Sequence, residues 1–304
     1  MNIETIEYGG WRNCRRISNG TVEAVMTGDV GPRVMRYGFC GGRNFFREFA
    51  DQMGRSGESE WVARGGHRIW IAPEDRVRSY APDNCAVRIE ETADGVIATG
   101  PVEPSTGLEK QIALRMASSG TAVEVVHRIR NAGAAACCIA PWALTMMAQG
   151  GCGIHGFPPR GTHPEMLAPV NPLVMWAFTN LADPRLRLLE RYLVLRQDPG
   201  NPAPQKLGSW NRQTWGAYLL DGELFVKRFE ASGDPAAYAD LGCSFETFTN
   251  ADFLELETLG PPETLEPGES LTHVERWSAF RGVEIERWDD AELDRAVLPL
   301  IGQP

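Results

Sequence analysis

Lysine and histidine are scarce in this sequence: three lysines and five histidines stand among 304 residues. The formal net charge is −10, so the chain lacks the clustered basic surface that nucleic-acid-binding proteins need. The same acidic balance disfavours binding to anionic membrane surfaces. No stretch is apolar over the length that crosses a bilayer. We therefore expect neither a nucleic-acid partner nor a membrane partner.

Several motifs of well-known chemistries are also missing. The absence of a Walker loop, HExxH and GxSxG removes sequence support for P-loop, zinc-protease and serine-hydrolase functions. Seven cysteines form no CxxC pair, and Cys137-Cys138 lies in an apolar stretch, so we expect reduced thiols. The alternative interpretation of these cysteines is a zinc site or a reactive thiol. Met1–Glu7 carries no secretory signal, and we expect a cytoplasmic protein without cofactor or metal.

Glycine and proline, 32 and 21 residues, divide the chain into short β-rich runs. Helical signals are few: Leu186–Leu193 predicts one helix, and Asp289 or Asp290 begins another that runs to about Leu300. Short strands at regular spacing indicate a sandwich or barrel, and we see no domain boundary. We predict one all-β antiparallel sandwich domain over residues 1–304. Three predicted hairpins are Ala86–Glu90 with Val96–Thr99, Ile112–Met116 with Thr121–Arg130, and Gly216–Leu220 with Leu224–Phe229.

Two glutamates lie in the predicted strand Phe253–Thr258. Strand alternation places Glu255 and Glu257 on one face, about 6.6 Å apart along the strand. Like charges at that spacing raise each other's pKa when they are desolvated, which suits a general acid or base. A solvated strand face is the alternative interpretation.

A second candidate site lies in Gly65–Glu74, a short stretch that contains histidine, arginine, tryptophan and glutamate. In a strand, Arg68 and Trp70 share a face. A guanidinium can hold sugar hydroxyls or a carboxylate, and an indole can stack on a pyranose ring. A structural ion pair beside a core tryptophan is the alternative.

The segments LELETLGP, LEPGES and ERWSAF resemble the end of the galactose mutarotase (aldose 1-epimerase) superfamily. The resemblance covers nearly the whole chain and implies a large antiparallel β-sandwich with a few short helices. It also implies a small-molecule sugar or sugar acid as ligand. By resemblance Glu257 is the base that removes the proton from the anomeric hydroxyl, with Glu255 beside it. His67 and Arg68 correspond to the loop that contributes sugar-binding groups.

The sequence departs from that superfamily at the histidine that protonates the ring oxygen. Trp142 stands near its place, and an indole can stack on a sugar but cannot supply this proton. His67, His155 and His163 are the candidates for the acid, and we predict His67. His127 shares a strand face with valines and is a core histidine by prediction.

A third candidate is Lys206, which lies near Asn211 in a loop rich in glycine and proline. The pair could bind a sugar acid or phosphate, and a solvated loop lysine is the alternative. We expect Glu257, His67, Arg68 and Trp142 to line one concave cleft of the larger sheet.

Three functions remain open at this stage. The first is an epimerase that uses Glu257 and His67. The second is a carbohydrate-binding protein that has lost the acid, and the third is a lyase or hydrolase of oligosaccharides. The sequence also leaves open whether the protein forms a homodimer.

Overall fold

The computed structural model describes residues 1–157, 161–168, 173–231 and 233–302, and their regular secondary structure is mostly antiparallel strands in two sheets. Strands are numbered along the chain. The first sheet contains, within these ranges, β1 (Asn2–Tyr8), β2 (Trp11–Ser18), β3 (Val22–Thr27), β4 (Arg33–Phe39), β5 (His67–Ala72), β10 (Cys137–Met147), β12 (Val174–Met175), β15 (Gln205–Ser209), β18 (Phe245–Thr249), β19 (Leu254–Leu259) and β20 (Glu263–Leu265). The second contains β6 (Arg88–Glu91), β7 (Gly95–Thr99), β8 (Leu108–Met116), β9 (Val123–Asn131), β11 (Cys152–Gly156), β13 (Leu186–Leu188), β14 (Tyr192–Arg196), β16 (Trp215–Leu220), β17 (Glu223–Phe229) and β21 (Ser270–Arg281).

Helices contribute little to the fold. They are a 3₁₀ turn at Pro235–Ala237, the single turn α1 (Ala239–Gly242) with left-handed backbone at Asp240 and Leu241, and the short helices α2 (Asp290–Ala296) and α3 (Leu298–Ile301). Over the described ranges, none of them has the length and apolar character that a membrane crossing needs.

The strand order explains where a site can form. The first sheet runs β1-β2-β3-β4-β5-β10-β19-β18-β15-β12, so segments far apart in sequence lie side by side at its centre. The second sheet runs β13-β14-β11-β16-β17-β21-β9-β8-β7-β6.

The main hydrophobic core lies between the two sheets. It includes Ile69, Ala143 and Leu256 from the first sheet and Ile129 and Trp277 from the second. Because successive side chains of a strand point to opposite faces, the residues between these core positions point away from the second sheet. That outer face of β5, β10, β19, β18 and β15 carries the candidate site.

The predicted all-β sandwich is confirmed, and each of the three predicted hairpins forms an antiparallel pair. The predicted start of the C-terminal helix is confirmed, because the Asp289 carboxylate caps α2 by accepting a hydrogen bond from the Glu292 N–H at 2.9 Å. The predicted span to about Leu300 is divided at Val297 into α2 and α3. The helix predicted over Leu186–Leu193 is wrong. That segment forms β13 and the start of β14, which pair through Leu186 and Leu195.

Candidate functional site

Cross-strand register brings the candidate residues together on the outer face of the first sheet. Leu144 on β10 lies opposite Arg68 on β5 and opposite Glu257 on β19. Glu246 on β18 lies on the other side of Glu257. Since each of these positions points the same way, four neighbouring strands present their alternate residues to one surface.

A cleft of about 470 Å³ opens on this surface. Its aromatic walls are formed by Trp61, Trp70, Tyr80, Trp142, Trp176, Phe178, Phe248 and Phe253. Four charged side chains also line it: Arg68, Lys206, Glu74 and Glu255. Apolar walls with a few fixed polar groups are typical of sites for small molecules.

Arg68 is buried, and its position is set by two indoles and one carboxylate. The centre of its guanidinium lies 4.4 Å from the ring centroid of Trp70 and 5.3 Å from that of Trp61. Nη2 donates to Glu255 Oε1 at 3.2 Å. Nε and Nη1 are buried and find no acceptor within the described residues. Buried donors without an acceptor are costly, so a ligand that accepts from them would relieve this cost.

Glu255 is one of the two carboxylates that line the cleft, and it is the one paired with Arg68. Burial raises the pKa of Glu255 to about 7, with a further increase from Glu257 and an opposing effect of Arg68. At neutral pH this side chain therefore exists in both protonation states. A pKa near the working pH is the property that general acid–base catalysis requires.

Lys206 joins the cleft to two carboxylates beneath it. Its Nζ lies 2.8 Å from Glu246 Oε2 and 3.0 Å from Glu257 Oε2. The same ammonium lies 4.7 Å from the ring centroids of Trp142 and of Trp176. Burial lowers the pKa of Lys206, but the two glutamates raise it more, so the net shift is upward and the ammonium stays charged.

Glu246 and Glu257 have no exposed surface. Trp142 Nε1 donates to Glu257 Oε2 at 2.9 Å. Oε1 of each glutamate is buried and has no hydrogen-bond donor among the residues that the structure describes. Burial raises the pKa of Glu246 well above its usual value, opposed by Lys206 and reinforced by Glu257. This shift favours the protonated form of Glu246.

Most of the predicted site residues lie together in the structure. Arg68, Trp70, Trp142, Lys206 and Glu255 all line the cleft. Strand alternation puts Glu257 on the same face, as expected from the sequence. It lies beneath the cleft rather than on its wall, since Lys206 and Trp142 cover it.

The expectation that His67 lines the cleft is wrong. His67 precedes Arg68 on β5, so its ring points to the opposite face, into the space between the sheets. It is buried, with Nδ1 2.8 Å from Thr145 Oγ1 and Nε2 2.7 Å from His127 Nε2. Burial lowers the pKa of His67 well below its usual value, and the positive charge of Lys227 lowers it further.

Asn211 also lies outside the cleft, contrary to the prediction that it binds the ligand with Lys206. Its side chain donates to the Trp215 carbonyl at 2.6 Å and accepts from the Gln213 and Thr214 N–H groups at 3.1 Å. These bonds close a local turn, so the amide holds the backbone.

The other histidines are equally remote from the cleft. His127 is the core histidine predicted from its strand pattern. His155 is buried, with its ring centroid 4.8 Å from that of Phe245. His163 is exposed, like the rest of residues 161–168. All five histidines fall within the described ranges, and none lines the cleft.

One group of side chains has metal-ligand spacing, with the candidate ligand atoms of His67, His127 and Glu275 within 4.8 Å of one another. Its atoms already bind one another or their neighbours. Glu275 accepts from Thr258 at 2.5 Å and from Trp277 at 2.8 Å, and its Oε1 lies 2.9 Å from Lys227 Nζ. A divalent ion here would face the Lys227 ammonium. The arrangement therefore fits an internal hydrogen-bond network better than a metal centre.

Sequence reasoning missed several residues of the site. Alternation in Phe245–Thr249 could have placed Glu246 on an outward face beside the Glu255 strand. Trp61, Tyr80 and Trp176 lie in loops, where no periodicity indicates their direction.

No family model and no curated protein matches the chain. Among solved structures, the Slr1438 protein from Synechocystis sp. PCC 6803 is similar, with a TM-score of 0.59 and 12% identity over 91% of this chain and 99% of that one. A galactose mutarotase related enzyme from Lactobacillus acidophilus has a TM-score of 0.54 and 8% identity, over 88% and 97% of the two chains. A galactose mutarotase-like protein from Clostridium acetobutylicum has a TM-score of 0.53 and 11% identity, over 92% and 98%. At these identities the similarity shows the fold, a galactose mutarotase-like β-sandwich.

Proposed function

We propose that this protein is a carbohydrate-binding protein that holds a sugar or sugar acid in the aromatic cleft. The observation that carries the proposal is Arg68, a buried guanidinium stacked on Trp70 with two N–H groups that lack an acceptor among the described residues. The similarity of fold to mutarotase-like proteins adds support.

The geometry suits the two surfaces of a pyranose. Its C–H face packs on an indole, as apolar groups pack on aromatic rings. Its hydroxyls, or the carboxylate of a sugar acid, accept from Arg68, while hydroxyl protons are donated to Glu255. A carboxylate on the ligand would strengthen the contact with Arg68, because charge-assisted hydrogen bonds are about twice as strong as neutral ones.

The direct test is calorimetric titration at pH 7 with glucose, galactose, glucuronic acid, galacturonic acid and their 6-phosphates. We expect at least one of them to bind. Arg68→Met should weaken that binding at least about tenfold, or about 1.4 kcal/mol, through the loss of the hydrogen bonds to the ligand. Arg88→Met is the matched control, because Arg88 is exposed and pairs only with exposed Glu90 within the described residues. Failure of every sugar to bind, or equal weakening by both variants, would refute the proposal.

A second candidate function, interconversion of sugar anomers, is favoured by the pKa of about 7 of Glu255 in the cleft. In this reaction a carboxylate oxygen of Glu255 takes the proton of the anomeric hydroxyl. The C1–O5 bond then breaks as the C1 carbonyl forms, and the ring oxygen takes a proton from water. Rotation about C1–C2 and reclosure by the reverse steps give the other anomer. Glu257, the base by resemblance, remains the rival candidate.

We expect the rate of anomer exchange to rise with pH through about 7, because only the ionised form of Glu255 can accept the proton. Saturation-transfer NMR on the bound sugar measures the exchange. Glu255→Gln should reduce it to the buffer rate and remove the pH dependence, whereas loss of activity in Glu257→Gln alone would assign the base to Glu257. Exchange at the buffer rate in the wild type, with sugar bound, would leave the binding function without catalysis.

A further inference from the structure

A second compartment adjoins the cleft. It measures about 710 Å³ and shares Glu74, Tyr80 and Trp176 with the cleft, so the two spaces border each other. Its remaining walls are Pro73, Arg76 and Asp240. Pockets of about 300–1,000 Å³ hold whole drug-sized ligands, so each compartment by itself is large enough for one sugar ring.

The walls of the outer compartment are fixed in ways that suit a ligand. The Tyr80 hydroxyl donates to Glu74 Oε1 at 2.6 Å, which positions both groups at the boundary with the cleft. Trp176 stands at the same boundary, with the Lys206 ammonium 4.7 Å from its ring centroid. An aromatic ring that borders both spaces can contact two consecutive units of one ligand.

The backbone at Asp240 is a third, independent feature. Asp240 and Leu241 have φ angles of 50° and 59°, a left-handed conformation that non-glycine residues rarely adopt. Two such residues in succession cost about 1–3 kcal/mol each, and strain of this kind is concentrated at ligand-binding sites. The strained turn holds the Asp240 carboxylate at the wall of the outer compartment.

We propose that the natural ligand is an oligosaccharide or glycoside of at least two units, a substrate class that rests on the proposed sugar-binding function. The terminal unit lies in the cleft against Arg68 and Trp70. The second unit lies in the outer compartment, where Arg76 donates to its hydroxyls and Asp240 accepts from them. Tyr80 and Trp176, which border both spaces, contact the linkage between the two units.

Chain-length series test this inference: glucose, cellobiose and cellotriose; glucose, maltose and maltotriose; and galactose with β-1,4-galactobiose. In calorimetry we expect the disaccharide of one series to bind at least about tenfold more tightly than its monosaccharide, the equivalent of about 1.4 kcal/mol. Two variants remove the outer groups. Arg76→Ala deletes an exposed side chain, and Asp240→Gly deletes the carboxylate while glycine tolerates the left-handed backbone.

Arg76→Ala should lower the affinity for the disaccharide about three- to tenfold and leave the affinity for the monosaccharide unchanged. Asp240→Gly should lower the affinity for the disaccharide more than that for the monosaccharide, because Asp240 also interacts with Glu246 and Lys206. If a monosaccharide binds but its disaccharides bind no more tightly, or the variants change neither affinity, the inference is wrong and the sugar-binding function stands. If no sugar of any length binds, both proposals fall.

Discussion

Replacement of Lys206 by methionine should lower the free energy of unfolding by about 3–5 kcal/mol, the usual cost when one partner of a buried ion pair is removed. The ammonium lies within 3.0 Å of Glu246 and Glu257, neither of which has exposed surface. Methionine preserves the packing against Trp142 and Trp176, so the loss isolates the missing charge.

Urea unfolding at pH 7.5 measures this effect. Arg88→Met, which breaks an exposed ion pair, should change stability by less than about 0.5 kcal/mol. Adding Glu257→Gln to Lys206→Met should restore part of the loss, because the double variant also lacks the carboxylate that Lys206 pairs with at 3.0 Å. A loss under about 1 kcal/mol for Lys206→Met would mean that the lysine does not compensate the glutamates.

Acid should destabilise the protein strongly, with His155 a main cause. Burial lowers the pKa of His155 to about 3. The unfolded chain therefore takes up a proton near pH 6.5, whereas the folded chain does not until about pH 3, and stability falls as the pH drops through that window. The cost is about 1.4 kcal/mol per pH unit. His273, whose pKa is also lowered to about 3 by burial and by His127, adds a contribution of the same sign.

His155→Leu should flatten the fall in stability between pH 6.5 and 4.5, with a relative gain of about 3 kcal/mol at pH 4.5. The raised pKa values of Glu246 and Glu255 act in the opposite direction, but equally in both proteins, so the difference reports His155. His163→Leu, at an exposed histidine, should leave the pH profile unchanged. Parallel profiles for wild type and His155→Leu would contradict the assignment.

Local alternation accounts for what could be predicted about the site. The alternation of side chains along a strand predicts that Glu255 shares a face with Glu257 and that Arg68 shares a face with Trp70. In the structure each pair lies on one face. The same rule forces His67 to the opposite face from Arg68. The resemblance places His67 and Arg68 together in the cleft, but adjacent residues of a strand point to opposite faces, so only Arg68 lines it.

The remaining contacts depend on tertiary structure. Glu257 meets Glu246 and Lys206 because β19, β18 and β15 are neighbours, and local sequence patterns do not determine which strands pair. The leucine spacing of Leu186–Leu193 fits a helix in isolation, but pairing of β13 with β14 overrides that tendency. Loop residues such as Trp61 and Tyr80 reach the cleft without any periodic signal.

The central claim, that sugar binds in the aromatic cleft, can be tested on the indole N–H signals of the nine tryptophans in a ¹⁵N–¹H correlation spectrum. Single Trp→Phe variants assign the signals. With a sugar that binds by calorimetry, we expect the signals of Trp61, Trp70, Trp142 and Trp176 to shift and those of the core residues Trp11 and Trp277 to stay in place. Unchanged cleft signals in the presence of saturating sugar would contradict the account.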